Sequence, residues 1–127
     1  MACKNTFFKW GSFAPLMLLT VAALAQNELR ETFFKNADAA LAAADATNAR
    51  LLSPKNYQDG MKDYEAAENG LERGRNIEYV RSKAAAATAH LEDAAKTAAL
   101  AKTVLSQSIK SRQDAANARA TELSREV

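Results

Sequence analysis

The chain has 127 residues, with 17 Lys and Arg against 15 Asp and Glu, and its one cysteine is Cys3. Lys4 and Lys9 are the only charged residues among the first 25, so residues 26–127 carry 15 cations, 15 anions and no net charge. Overall basicity therefore gives no support to nucleic-acid binding, and residues 26–127 hold no thiol for a disulfide or for catalysis.

The N-terminal segment has the three parts of a secretory signal. The two lysines precede an apolar run over residues 13–25, and this run closes on Ala23-Leu24-Ala25. Small residues at these two alanine positions are typical of signal peptidase substrates. We therefore expect a cleavable signal over residues 1–25, with Gln26 as the mature N-terminus.

Two alternative functions of this segment fit the sequence less well. A membrane anchor needs roughly 20 apolar residues, whereas this run has about 13 and contains Pro15. A lipoprotein signal needs a cysteine after the apolar run, and Cys3 precedes it. Membrane contact is thus expected only through the signal before cleavage.

The remainder is alanine-rich, and alanine is the strongest intrinsic helix former. Ser53-Pro54 is typical of a helix start, with Ser53 as N-cap and Pro54 at the first helical position. Gly74 is suited to a left-handed residue after a helix, and Asn76 to capping the next one. Three helices are predicted, at about 28–51, 54–73 and 77–122, in a single domain over residues 26–127.

Each predicted helix has a line of mostly apolar residues at helical spacing. Those of the first helix are Phe33, Ala37, Ala40, Ala44, Thr47 and Leu51, and those of the second are Tyr57, Met61, Tyr64, Ala67 and Leu71. The third keeps an unbroken three-four alternation through Ile77, Val80, Ala84, Ala87, Leu91, Ala94, Ala98, Ala101 and Leu105, and the stripe then shifts to Ile109, Ala116, Ala120 and Leu123. This pattern predicts an all-α fold, either an antiparallel helical hairpin or a three-helix bundle, with a long third helix that resembles a coiled-coil strand.

The third helix is about twice as long as either of the others. The first two helices are therefore too short to pack against it beyond about Leu105. The part beyond this residue must pair with another chain, fray or bend back. The candidate interaction face consists of Ala94, Ala98, Ala101, Leu105, Ile109 and Ala116. It would take a protein partner or a second copy of the chain.

No catalytic, cofactor-binding or metal site is predicted. His90 is the only histidine, and with Asp93 it offers too few converging ligands for a metal. The acidic residues of the second helix have no apolar surroundings that would shift a pKa for acid–base work. The three tyrosines lie at helical spacing, which favours a core over a stacking platform. We expect neither an enzyme nor a bound cofactor, and no nucleic-acid partner.

Residues 37–76, ADAALAAADATNARLLSPKNYQDGMKDYEAAENGLERGRN, resemble a bacterial envelope family of unknown function. Its members carry an export or lipoprotein signal and an alanine-rich helical domain, often followed by an OmpA-like peptidoglycan-binding domain. The matching features are the alanine-rich helix, Pro54-x-x-Tyr57, Tyr64 with Ala67, and the alanine-spaced helix after Gly74. No lipid-carrying cysteine and no OmpA-like segment is present here, so peptidoglycan binding is not carried over. The resemblance implies the periplasm of a Gram-negative bacterium.

The first functional hypothesis is a non-enzymatic periplasmic protein of the cell envelope that acts as a helical interaction module. The second is a spacer or peptidoglycan-adjacent structural component that works through length and stiffness. A third is a holdase-like chaperone, which would need more exposed apolar surface than alanine-rich faces offer.

Overall fold

The computed structural model describes the backbone of residues 16–127 and the side chains from Leu24 onward. The charged start of the predicted signal and the first part of its apolar run lie outside the described residues. The regular elements within residues 16–127 are four α-helices: α1 (Leu16–Ala46), α2 (Ala49–Leu52), α3 (Pro54–Glu72) and α4 (Ile77–Glu126). The predicted all-α class is confirmed, and the predicted second and third helices correspond to α3 and α4.

The helices form a three-helix bundle in which α1 and α4 run in the same direction and α3 runs antiparallel to both, with α4 packed against both α1 and α3. One core cluster joins Phe34 of α1 to Tyr64 of α3 and Val80 near the start of α4. The other joins the end of α1 and α2 to Leu91 and Ala98, farther along α4. The two ends that extend beyond the bundle, the start of α1 and the end of α4, therefore point in opposite directions.

The first helix differs from its prediction at both ends. It continues through the predicted cleavage point, since α1 begins at Leu16 rather than near residue 28. It also ends at Ala46, because Asn48 adopts a left-handed conformation with φ of 58° and starts the short α2. Asparagine is one of the few side chains that tolerate this backbone. The turn rotates Leu51 out of the predicted face and leaves it 80% exposed.

Ser53-Pro54 begins α3 as predicted, although not through the expected cap. Pro54 occupies the first turn of the helix, but the Ser53 side chain makes no capping hydrogen bond. Ser53 is instead buried, and its backbone N–H donates to the carbonyl of Ala49 at 2.8 Å. The proline, whose missing N–H costs nothing at this position, sets the boundary here.

The turn between α3 and α4 confirms the prediction from Gly74 and Asn76. Gly74 has φ of 63°, and the N–H groups of Gly74 and Arg75 donate to the carbonyls of Leu71 and Gly70. These two bonds are the Schellman pattern that closes a helix C-terminus. The Asn76 side chain accepts from the N–H of Glu78 at 2.9 Å and caps α4.

Two glycines allow α3 to approach α4 closely. A Cβ on Gly60 would lie 2.7 Å from Cγ of Leu91, and one on Gly70 would lie 3.1 Å from the Tyr79 ring. Both glycines are buried inside α3. Gly70 does not end the helix: it serves close packing, and α3 continues to Glu72.

Within residues 16–127, no helix combines the length and the hydropathy that crossing a membrane requires.

Candidate functional site

The second half of α4 is exposed to solvent along its whole length. The helix has 50 residues, and the last buried one is Ala98. Every residue from Thr103 onward is exposed. We call residues 103–126 the α4 extension; it is a continuous helix that projects about 35 Å beyond the bundle.

One apolar line on this extension continues the face that packs inside the bundle. At 3.6 residues per turn, four side chains lie within about 20° of the direction of Ala98 around the helix axis. They form the extension stripe: Leu105, Ile109, Ala116 and Leu123. The three large members are 52%, 58% and 65% exposed, in chain order. The face of α4 that α1 and α2 cover at Ala98 is therefore exposed to solvent one or two turns farther along the helix.

The six residues of the predicted interaction face fall into two groups. Ala94 and Ala98 are fully buried against the end of α1 and α2, so they belong to the chain's own core and are not available to a partner. Ala101 is half-buried at the boundary, and Leu105, Ile109 and Ala116 are exposed. The sequence pattern gave no sign of this division, because the alanine seam continues through it without a change of spacing.

Two further exposed aliphatic residues, Leu100 and Val104, lie on a different side of α4. They are 68% and 60% exposed and lie more than about 100° from the direction of Ala98. Val104 and Ile109 thus match in branching and exposure but differ in the face they occupy, which makes them a controlled pair for mutation.

The polar groups of the bundle hold its helices together. Arg30 of α1 donates to Glu68 at 2.8 Å and to the Tyr64 hydroxyl at 3.1 Å, both on α3. The same hydroxyl donates to Asp38 of α1. Phe34 lies beneath Arg30 and packs edge-to-face with Tyr64 at 5.4 Å. This set is a structural clamp between α1 and α3.

Burial, followed by the hydrogen bond to Asp38, raises the pKa of Tyr64 to about 12. Because the folded-state pKa lies above the usual 10, folding favours the neutral hydroxyl. This contribution is complete below pH 10 and is lost as the pH rises towards 12. We expect the free energy of unfolding to fall by up to about 3 kcal/mol across this interval. The measurement is urea denaturation at successive alkaline pH values.

In Tyr64→Phe the alkaline loss should be much smaller, whereas Tyr57→Phe should retain most of it. Tyr57 is half-buried and donates to Asp45 at 2.8 Å, and burial raises its pKa too. An unchanged alkaline loss in Tyr64→Phe would show that this hydroxyl is not held in its neutral form by the fold.

His90 lies half-exposed on α4, with its Nε2 atom 3.7 Å from a carboxylate oxygen of Asp63 on α3. Asp63 also accepts from Lys83 at 2.7 Å, and this carboxylate raises the pKa of the Lys83 amine. The arrangement bridges α3 and α4 on the surface. Within the described residues, no group of three or more potential metal ligands comes together.

Three acidic residues of α3, Asp59, Asp63 and Glu68, each lie beside a cationic partner. Asp59 pairs with Lys55 at 2.9 Å, and Glu68 pairs with Arg30 on the other side of the helix. The hydrogen bond from Lys55 lowers the pKa of Asp59. Such surface pairs contribute little to stability, because water and salt screen their charges.

No protein-family model matches the chain, and no curated protein or solved structure is significantly similar to it. The resemblance to the envelope family stays a prediction.

Proposed function

We propose that this chain is an exported, non-enzymatic protein of the Gram-negative cell envelope, and that its α4 extension is a helical interaction module. The observation that carries the proposal is the extension stripe. The helix that carries this stripe loses little conformational entropy when it binds a partner, because its backbone is already ordered. Its partner is another protein or a second copy of the chain.

Export with removal of residues 1–25 is compatible with the packing of α1. Among the described side chains, the first buried one in α1 is Phe34, and residues 24–28 are all exposed. Arg30, which clamps α1 to α3, also lies beyond the predicted cleavage point. Cleavage after Ala25 would therefore leave both core clusters intact.

Cell fractionation followed by N-terminal sequencing tests this part of the proposal. We expect protein in the periplasmic fraction to begin at Gln26. Recovery of protein that still begins at Met1 from the purified envelope would overturn cleavage after Ala25.

The interaction role predicts different behaviour for Ile109→Glu and Val104→Glu. Both changes add one carboxylate at an aliphatic, exposed position of α4, so neither should alter folding stability by more than about 0.5 kcal/mol. Only Ile109 belongs to the extension stripe. In the periplasm of cells that make the protein, Ile109→Glu should lose the crosslinked adducts of the wild type, and Val104→Glu should keep them.

A spacer is the second candidate, and the length of the exposed helix favours it. A spacer acts through its reach, so Ile109→Glu and Val104→Glu should then behave alike, with adducts and envelope integrity as in the wild type. Equal adduct yields from both variants would overturn the role of the extension stripe in binding.

A further inference from the structure

The direction of the extension stripe limits how a second chain can lie against it. This inference rests on the proposed interaction role and identifies the partner. We propose that a second copy of the chain occupies the extension stripe, with the two α4 extensions antiparallel and a twofold axis near Arg112 and Gln113.

A parallel arrangement meets a steric obstacle in the bundle. The extension stripe points in the same direction as Ala98, which faces the end of α1 and α2. A parallel partner on that face would place its own α4, before residue 100, in the space that α1 and α2 fill. An antiparallel partner approaches from the free end and meets no such obstacle.

The side-chain sizes along the extension stripe also suit antiparallel pairing with the same stripe of a second copy. The first half of the stripe carries Leu105 and Ile109, and the same face farther on carries Ala116 and Ala120. About a twofold axis between Arg112 and Gln113, Ile109 lies opposite Ala116 of the second copy, and Leu105 lies opposite Ala120. Leu105 and Ile109 then each meet an alanine, and Leu123 lies opposite Lys102. The two pairings of a large with a small side chain let the helices approach closely and interdigitate.

The charges along the helix favour the same direction. Residues 102–112 contain three cations, Lys102, Lys110 and Arg112, and no acid. Residues 114–126 contain three acids and two cations, which are Asp114, Glu122, Glu126, Arg119 and Arg125. Antiparallel pairing sets the basic half of one copy along the more acidic half of the other, whereas parallel pairing sets the two basic halves side by side.

Cysteine crosslinking of the full chain distinguishes the two directions. In a Cys3→Ser background, the introduced thiol is the only one in the chain. Gln113→Cys lies beside the proposed twofold axis, whereas the two Leu105→Cys positions of an antiparallel pair are about 22 Å apart along the helix. A disulfide needs Cα atoms within about 7 Å.

On air oxidation at concentrations on the order of tens of micromolar, Gln113→Cys should yield at least roughly ten-fold more disulfide dimer than Leu105→Cys. Mixing Leu105→Cys with Ala120→Cys should restore the dimer, and adding Ile109→Glu should abolish it. Addition of Val104→Glu is the matched control and should leave the yield unchanged.

The remaining outcomes separate this inference from the proposed function. Efficient dimer formation by Leu105→Cys alone would show a parallel pair and would overturn the antiparallel arrangement. Absence of every disulfide dimer would overturn the second copy as the occupant. The interaction role would fail only if Ile109→Glu and Val104→Glu also gave equal adduct yields in the periplasm.

Discussion

Leu91→Ala is expected to lower the free energy of unfolding by about 2–5 kcal/mol, and Gly60→Ala is expected to recover part of that loss. Leu91 is fully buried and is among the largest side chains with no solvent exposure. It packs with Ala40, Ala44 and Ala94, which are too small to fill the space that its removal leaves. Total stabilities of single domains are about 5–15 kcal/mol, so this one change removes a large share.

Gly60→Ala should have opposite effects in the two backgrounds. On an exposed helix, replacing glycine by alanine stabilises by about 1 kcal/mol. In the wild-type chain the new Cβ would lie 2.7 Å from Cγ and 3.2 Å from the backbone nitrogen of Leu91. Relieving that overlap costs about 1–3 kcal/mol, so the net change is destabilising. With Leu91→Ala, the overlapping Cγ is absent and the helix propensity gain returns.

A double-mutant cycle from urea denaturation, followed by helical circular dichroism, measures this coupling. We expect the double variant to be more stable than the sum of the single changes by at least about 1 kcal/mol. Additive effects would mean that Gly60 and Leu91 do not constrain each other, and that α3 and α4 lie farther apart than described.

The parts of the fold that follow from local chemistry could be predicted from the sequence. The left-handed Gly74, the cap at Asn76 and the first-turn Pro54 each depend on the conformational preference of one residue. The core seam of α4 from Val80 to Ala98 depends on a single period sustained over many turns. These signals are independent of where the other helices lie.

Features that depend on contact between helices could not be predicted in the same way. Gly60 and Gly70 are buried in α3 because Leu91 and Tyr79 lie against them, and a sequence pattern assigns glycine no apolar face. The break at Asn48 follows a strong alanine-rich helix signal over residues 37–46. Ala49, directly after the break, is fully buried in the core.

The candidate interaction face could be predicted only in part from the sequence, for the same physical reason. Its period identifies one face of α4 from Ala94 to Ala116, but the period does not show where α1 and α2 stop covering that face. The point on α4 where this cover ends depends on the turn between α1 and α2. The sequence pattern predicts this turn several residues later than the structure has it. The structure assigns Ala94 and Ala98 to the core and leaves the residues from Leu105 onward free.

Ala94→Glu and Ala116→Glu should therefore differ strongly, although both lie on one face of one helix. Ala94 is fully buried with Ala44 and Leu91. A carboxylate there must lose its water without gaining a cationic partner and needs space that the core lacks, so we expect a loss on the order of 5 kcal/mol. Thermal unfolding by circular dichroism should show a midpoint far below that of the wild type.

Ala116→Glu introduces the same carboxylate on the exposed extension and should leave the free energy of unfolding, measured by urea denaturation, within about 0.5 kcal/mol of the wild type. If the second copy binds as proposed, the new charge lies opposite Ile109 and should abolish the Gln113→Cys disulfide dimer. An intact dimer would place the contact on another face of α4. Loss of function in Ala94→Glu would not distinguish binding from spacing, because that change destabilises the fold on which both roles depend. Substitutions that distinguish binding from spacing therefore have to lie beyond Thr103, because the side chains there are exposed and do not contribute to the core.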